Sequence, residues 1–157
     1  MPISRPAFLA LLFLTSVPAL LAQAAETAIP ALGARVNRVR YFEAGTALPS
    51  PRDRQYLTRF DSATARSIYV EIGLAYPPAP KPTAFRIECG YTAPGGALAG
   101  TAIIDGQADA GWELSVHAGG TGGAAPGGWR AGVYRVACRF EGAVIATGGF
   151  EVVGPVA

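Results

Sequence analysis

The chain has 157 residues, among them 20 Gly and 13 Pro, and its 13 Lys and Arg against 11 Asp and Glu leave a net charge of +2. Past the N-terminal segment no window carries an apolar stripe at i, i+3, i+4 and i+7, so helix is a minor component. One His and two Cys are too few for a Cys/His metal centre and supply a single side chain able to act as a base at neutral pH.

The first 24 residues, MPISRPAFLALLFLTSVPALLAQA, hold one charge, Arg5, then an apolar run from Ala7 to Leu21, then the small-x-small sequence Ala22-Gln23-Ala24. This is the pattern of a cleavable signal peptide. The run is shorter than the roughly 20 apolar residues that span a bilayer, Pro18 interrupts it, and no basic cluster follows. The expectation is a signal peptide over 1–24, no membrane span after its cleavage, and a single domain over 25–157, periplasmic or secreted. An exported chain meets an oxidising compartment, where Cys89 and Cys138 are expected to join as a disulfide.

From 35 to 66 the chain is basic: Arg35, Arg38, Arg40, Arg52, Arg54, Arg59 and Arg66 stand against Glu43, Asp53 and Asp61. Guanidinium groups suit bidentate contact with carboxylate or phosphate. Arg52, Arg54, Arg59 and Arg66 are therefore the candidate binding residues, the alternative being a solvated rim with some of them paired to Asp53 and Asp61, together with Trp129, which either caps the core or serves as the aromatic anchor of a partner surface. Within this stretch RVNRVRYF reads as a weak strand, with Val39 and Tyr41 opposed to Arg38, Arg40 and Phe42.

Three later stretches alternate with period two, the mark of strands with one buried face. Ile68, Val70, Ile72, Leu74 and Tyr76 share a face in ARSIYVEIGLAY, with Tyr69, Glu71 and Gly73 on the other. Phe85, Ile87, Cys89 and Tyr91 do so in AFRIECGY, and Tyr134, Val136, Cys138 and Phe140 in GVYRVACRF. Each Cys thus stands in the middle of an apolar face, so the bridge belongs in the core, between two strands or two sheets. Weaker strands are expected around Leu98 to Ile104 and at WELSVH, where Trp112, Leu114 and Val116 share a face and Trp112 is expected in the core. HAGGTGGAAPGGW reads as a long flexible loop. The final pair, GVYRVACRF and VIATGGFEV, turns at Glu141-Gly142 or Glu141-Gly142-Ala143, and a two-residue turn requires a bulge at Gly148-Gly149 to bring Phe150 inward.

About seven short strands with such turns predict an all-β fold, an antiparallel immunoglobulin/fibronectin-like sandwich, with a small β-barrel as the alternative. Tyr134 lies four residues before Cys138 where an antibody-type tyrosine corner has two, so antibody topology is not expected.

The motifs RVRYFEAG, RQYLTRFDSATARSIYVEIGLAYP, WELSVH, GGWRAGVYRVACRFEG and GGFEV, in this order over roughly 35 to 153, resemble an uncharacterised bacterial β-sandwich module. It occurs C-terminally in caspase-like and kinase-like proteins and also alone behind signal peptides. The resemblance implies an accessory or binding role and transfers no catalytic residue. That module carries aromatic residues in the loop after His117, whereas AGGTGGAAPGG here has none before Trp129.

No constellation points to catalysis. Ser115 lies two residues from His117 on one strand face, too extended for activation, and no GxSxG occurs. Asp105 and Asp109 flank Gly106 in what reads as a turn, where Asp commonly bonds its own backbone. The glycine loop lacks GxGxxG and a Lys-Ser/Thr ending, so it is not a phosphate cradle. The chain is expected to be no enzyme, to hold no cofactor or metal, and to bind a protein or an anionic envelope polymer. A small inhibitor or immunity-type protein is the alternative. Export and the scarcity of stacking aromatics argue against nucleic acid.

Overall fold

The computed structural model describes residues 27–154; the segment read as a signal peptide lies outside them. A 3₁₀ turn, Pro30–Leu32, precedes eight strands: β1 (Arg35–Ala44), β2 (Arg59–Asp61), β3 (Ser67–Ala75), β4 (Thr83–Thr92), β5 (Leu98–Ala108), β6 (Leu114–Gly122), β7 (Gly132–Phe140) and β8 (Ala143–Val153). They form two sheets, β1-β3-β6 and β2-β8-β7-β4-β5. The fold is an all-β immunoglobulin-like sandwich, in which only β4–β5 and β7–β8 are consecutive strands of one sheet and every other connection crosses between the sheets. All pairings are antiparallel except β2 with β8. The three-residue β2 has no period-two signature and was not among the expected strands.

The alternating faces of β3, β4 and β7 meet in one core: Ile68, Val70, Ile72 and Leu74 from β3 pack with Ile87, Cys89, Tyr91, Tyr134, Val136 and Cys138. Phe150 on β8 is the aromatic hub, with ring centroids of Tyr41 at 5.3 Å, Phe60 at 5.4 Å, Tyr91 at 6.0 Å, Trp129 at 5.8 Å and Tyr134 at 5.3 Å. Burying so much aromatic surface is the main favourable term of a domain of this size. The disulfide Cys89–Cys138 joins directly opposed residues of the neighbouring strands β4 and β7, so it staples one sheet rather than the two sheets together. Tyr134 donates its hydroxyl to the Arg130 carbonyl at 3.1 Å. A tyrosine corner is thus present; spacing to Cys138 concealed it because this disulfide does not occupy the inter-sheet position of antibody domains.

Three expectations are corrected. First, the glycine-rich stretch after His117 is half strand: β6 runs to Gly122. Its phase is the reverse of the expected one. Leu114 and Val116 pair with Ala75 and Gly73 on the outer face, while Ser115, His117, Gly119 and Thr121 pair with Leu74, Ile72, Val70 and Ile68 on the core face. Only Gly fits at 119, where a Cβ would meet the backbone carbonyl of Ile103 and the side chain of Ile104. Second, Trp112 is therefore not a core residue; it is 46% exposed at the turn entering β6. Trp129 takes the core position instead, 7% exposed, donating its indole N–H to the Arg66 carbonyl at 2.7 Å. Third, Phe140 pairs with Ala143 across the two-residue turn Glu141-Gly142, and the extra residue of β8 is Ile145, between the pairs Arg139 with Val144 and Cys138 with Ala146. The bulge that returns Phe150 to the core thus lies at Ile145 and not at Gly148-Gly149. Glu141 and Gly142 both adopt positive φ, 48° and 85°, as such a turn requires.

Two outcomes are expected. The denatured, unreduced protein shows no free thiol, and Cys138→Ser lowers the thermal midpoint, since loss of such a bridge costs about 2–5 kcal/mol; two titratable thiols or an unchanged midpoint would contradict the bridge. In single Trp→Phe variants, acrylamide quenches Trp112 and spares Trp129. Trp129→Ala costs about 3–5 kcal/mol, whereas Trp112→Ala costs less than about 1 kcal/mol.

Candidate functional site

The register of β1 on β3 places Arg40 opposite Glu71, Phe42 opposite Tyr69 and Arg38 opposite Gly73. Cross-strand partners share a face, and this face is the outer one of the three-stranded sheet. The connection from β1 to β2 returns over it. It turns at Ser50–Asp53, where the Ser50 hydroxyl donates to Asp53 at 2.6 Å, and rejoins β1 at Tyr56, bridged to Phe42. Arg54 is anchored by its Nε to the Pro49 carbonyl at 3.1 Å.

These elements converge on Glu71, which is fully buried. Its Oε1 accepts from Arg40 Nη2 at 2.8 Å, and its Oε2 accepts from Arg54 Nη1 and the Tyr56 hydroxyl, each at 2.6 Å. Arg38 Nε stands 3.9 Å from Oε1. Burial pushes the Glu71 pKa up, but the hydrogen bonds from Tyr56, Arg40 and Arg54 and the charge of Arg40 outweigh it, so the carboxyl titrates below its ordinary value. The cations also lie on aromatic faces, Arg40 3.5 Å above the Tyr56 ring and Arg54 4.9 Å from that of Phe42. Three guanidinium groups share one carboxylate, which leaves positive charge in excess. The side chains of Arg38 and Arg40 remain 44% and 34% exposed, so that excess faces solvent.

The residues singled out as a binding surface do not form one exposed surface, although Trp129 bonds the Arg66 carbonyl. Arg54 is buried in the Glu71 cluster, its side chain 6% exposed. Arg59 lies on β2 in the other sheet and pairs with Glu151 at 2.9 Å. Arg66 pairs with Glu43 at 3.2 Å, and Trp129 is inside the core. Arg52 is exposed near the tip of the returning connection. Glu71, Arg38 and Arg40 carry the cluster instead. The available signal was Glu71 itself, the one charge within an otherwise apolar strand.

The other candidates have local partners. His117 Nε2 and Ser115 Oγ are 2.8 Å apart, close enough to bond although they share a strand. Phe85 stands edge-on to the imidazole at 4.8 Å, and burial pushes the His117 pKa down. No carboxylate among the described residues bonds this ring, so the pair lacks the orienting acid of a triad. Asp105 lies within β5 rather than in a turn and takes two bonds from Arg86, at 2.7 and 3.1 Å; Asp109 accepts from Gln107 at 2.7 Å. Among the described residues no group of three or more His, Cys, Asp or Glu is arranged to hold a metal ion.

No family model matches the chain, and no curated protein matches it. Solved structures show partial similarity to the chain. An alkylpurine DNA glycosylase of Pseudomonas fluorescens, bound to DNA containing an abasic site analogue, is 11% identical with a TM-score of 0.47, over 76% of this chain and 30% of that one. An immunoglobulin-like protein of Pseudomonas aeruginosa is 14% identical with a TM-score of 0.45, over 76% and 96%. A β-glucosidase of Listeria innocua in complex with laminaribiose is 14% identical with a TM-score of 0.44, over 76% and 16%. At these values the similarities carry no argument about this chain's chemistry.

The Glu71 cluster has a measurable signature. Because the folded pKa lies below the ordinary 4.5, its contribution is complete above the unfolded value and is lost as pH falls through the folded one. Stability measured by denaturant titration therefore declines below about pH 4.5. In Glu71→Gln that part of the acid dependence disappears and the protein is less stable at neutral pH by about 3–5 kcal/mol, the usual cost of removing one partner of a buried ion pair. An unchanged pH profile in the variant would show that Glu71 does not titrate in this range.

Proposed function

We propose that the chain is a noncatalytic binding module of the bacterial cell envelope, exported by its N-terminal segment, and that the outer face of the three-stranded sheet engages an anionic partner, a protein or an envelope polymer. The observation that carries this reading is the shared carboxylate: Arg38, Arg40 and Arg54 surround Glu71 alone, and Arg52 on the adjoining connection is exposed. Guanidinium groups held on aromatic rings are pre-organised, so less side-chain entropy is lost when a carboxylate or phosphate docks. The disulfide supports an oxidising compartment, and the motif resemblance supports an accessory role. Inhibition by insertion of the glycine-rich stretch is not favoured, because Trp129, its candidate anchor, is packed inside.

The test uses polyglutamate as a defined anionic polymer and the domain without its N-terminal segment. Retention on the polymer is strong at low salt and falls as ionic strength rises from about 0.01 to 0.15 M, where the Debye length shrinks from about 30 to 8 Å. The double variant Arg38→Ala, Arg52→Ala retains the fold and loses most of the retention. Equal retention by the variant, or none by the parent domain at low salt, overturns the assignment of this face.

A further inference from the structure

The two sheets do not close evenly along the seam between β1 and β8. On one side β8 is paired with β7 from Ala143 to Val152. On its other side β2 covers only Glu151–Val153, with the Glu151 N–H bonded to the Thr58 carbonyl at 2.9 Å. Backbone groups of a strand point to alternate sides. Gly149 and Thr147, two and four residues before Glu151, thus turn their N–H and C=O groups to the same side as Glu151. No described strand pairs with them there. The facing edge of β1 is likewise covered only near its end, by the bridge of Tyr56 to Phe42 and the bond of the Leu57 N–H to the Tyr41 carbonyl.

Two cavities lie end to end along this opening. One, of about 610 Å³, has Val36 and Pro30 on one wall and Phe140, Val144 and Ile145 on the other. The next, of about 430 Å³, has Val39, Arg40 and Tyr41 of β1 and Tyr56, Leu57 and Thr58 of the connection before β2 around Thr147, Gly148 and Gly149. On its floor Tyr41, 5% exposed, ends beneath Gly148, and its hydroxyl has no hydrogen-bond partner. A buried hydroxyl left in this state is costly, and it lines the same cavity as the open donors of Thr147 and Gly149. The ends of the opening differ in charge, with Glu141 at the first cavity and Arg40 at the second.

We propose that this seam receives an extended polypeptide segment, which adds as a strand to the open edge of β8 through the main-chain groups of Thr147 and Gly149. Its apolar side chains lie against Val36, Val39 and Ile145, with a basic residue toward Glu141 and an acidic one toward Arg40. β2 already occupies the same edge one step further along, so the edge is known to accept a strand. The recess lies between two sheets, which suits a single extended segment better than the sheet edge of another folded domain. Affinity in such strand addition comes from the main chain, and selectivity from the alternate side-chain pockets. The proposal rests on the binding-module reading only in treating the chain as a binder; the seam adjoins the face of Arg38 and Arg52 and shares Arg40 and Tyr56 with the Glu71 cluster, but uses neither Arg38 nor Arg52.

The test is amide hydrogen exchange on the isotopically labelled domain with a defined probe, a peptide of alternating Thr and Val carrying Lys at one end and Glu at the other. In the free protein the amides of Thr147 and Gly149 exchange rapidly; with the peptide they slow by at least about tenfold. Thr147→Pro removes an N–H on the open side only, which an edge strand tolerates, and weakens peptide binding by at least about tenfold, whereas Thr147→Ala binds as the parent does. Slow exchange at both amides without peptide, rising with protein concentration, would identify a second copy as the occupant and overturn the proposal. So would protection confined to other strands, or no binding at about 1 mM peptide. If Thr147→Pro does not fold, the exchange rates of the parent domain decide. Polyglutamate retention that depends on Arg38 and Arg52 while the seam stays unprotected would refute the seam alone.

Discussion

A carboxylate denied solvent must receive its hydrogen bonds from the protein, and much of this fold follows from where Glu71 stands. β3 is the middle strand of its sheet, with the core on one face, and Glu71 points to the other. The desolvation penalty of a buried ion is several kcal/mol, so the outer face cannot be left to water and arbitrary side chains. Arg40 on the neighbouring strand supplies one donor, and Arg54 and Tyr56 supply two more only if the connection after β1 crosses back over the sheet. An apolar residue at 71 could match this stability. It would not dictate a path for that connection, whereas fork-shaped guanidinium geometry does.

The opposite sheet is organised by packing. Phe150 touches aromatic rings from five other positions, and these arrive from β1, β2, β4, β7 and the connection before β7. The Trp129 indole adds a directional bond to the carbonyl of Arg66, tying the glycine-rich connection to the turn that leads into β3. Glycine content there does not make the whole stretch a free loop. Its first part is strand, and its last part is anchored through Trp129.

How far these features were legible depends on how local their cause is. The faces of β3, β4 and β7, the disulfide and the sandwich were expected from period-two alternation and from the signal-like composition of the N-terminal segment, both readable along the chain. The face of β6 was not, because alternation reports a period and not a direction. Its apolar residues Leu114 and Val116 point outward, and the inward polar pair Ser115 and His117 satisfy each other. The close approach of β5 at Gly119 then leaves no space for bulk, so the ordinary rule of apolar inside fails locally. The basic segment was legible as charge, yet its pairing was not. Which arginine meets which acid depends on the register of β1 on β3, shifted by an irregularity between Val36 and Arg38. Arg54 reads as a surface cation in the sequence because its acid stands 17 residues on in another element, and nothing local names the partner that Glu71, a single acid in an apolar strand, demands.

The same constraint shapes the open seam. Tyr56 is held at the β1 edge by its bond to Glu71, and by Arg59 the chain has crossed to pair with Glu151 of β8. A connection pinned at Tyr56 reaches β8 only at its end, so no described strand pairs with the edge from Ala143 to Gly149. Open edges invite indiscriminate pairing. Here the bulge at Ile145, the short free stretch and the recess between the sheets limit which strands can reach it. The donors of Thr147 and Gly149 therefore stay accessible to a narrow extended chain and sheltered from a broad one. That accessibility is a consequence of satisfying one buried carboxylate on the other side of β1.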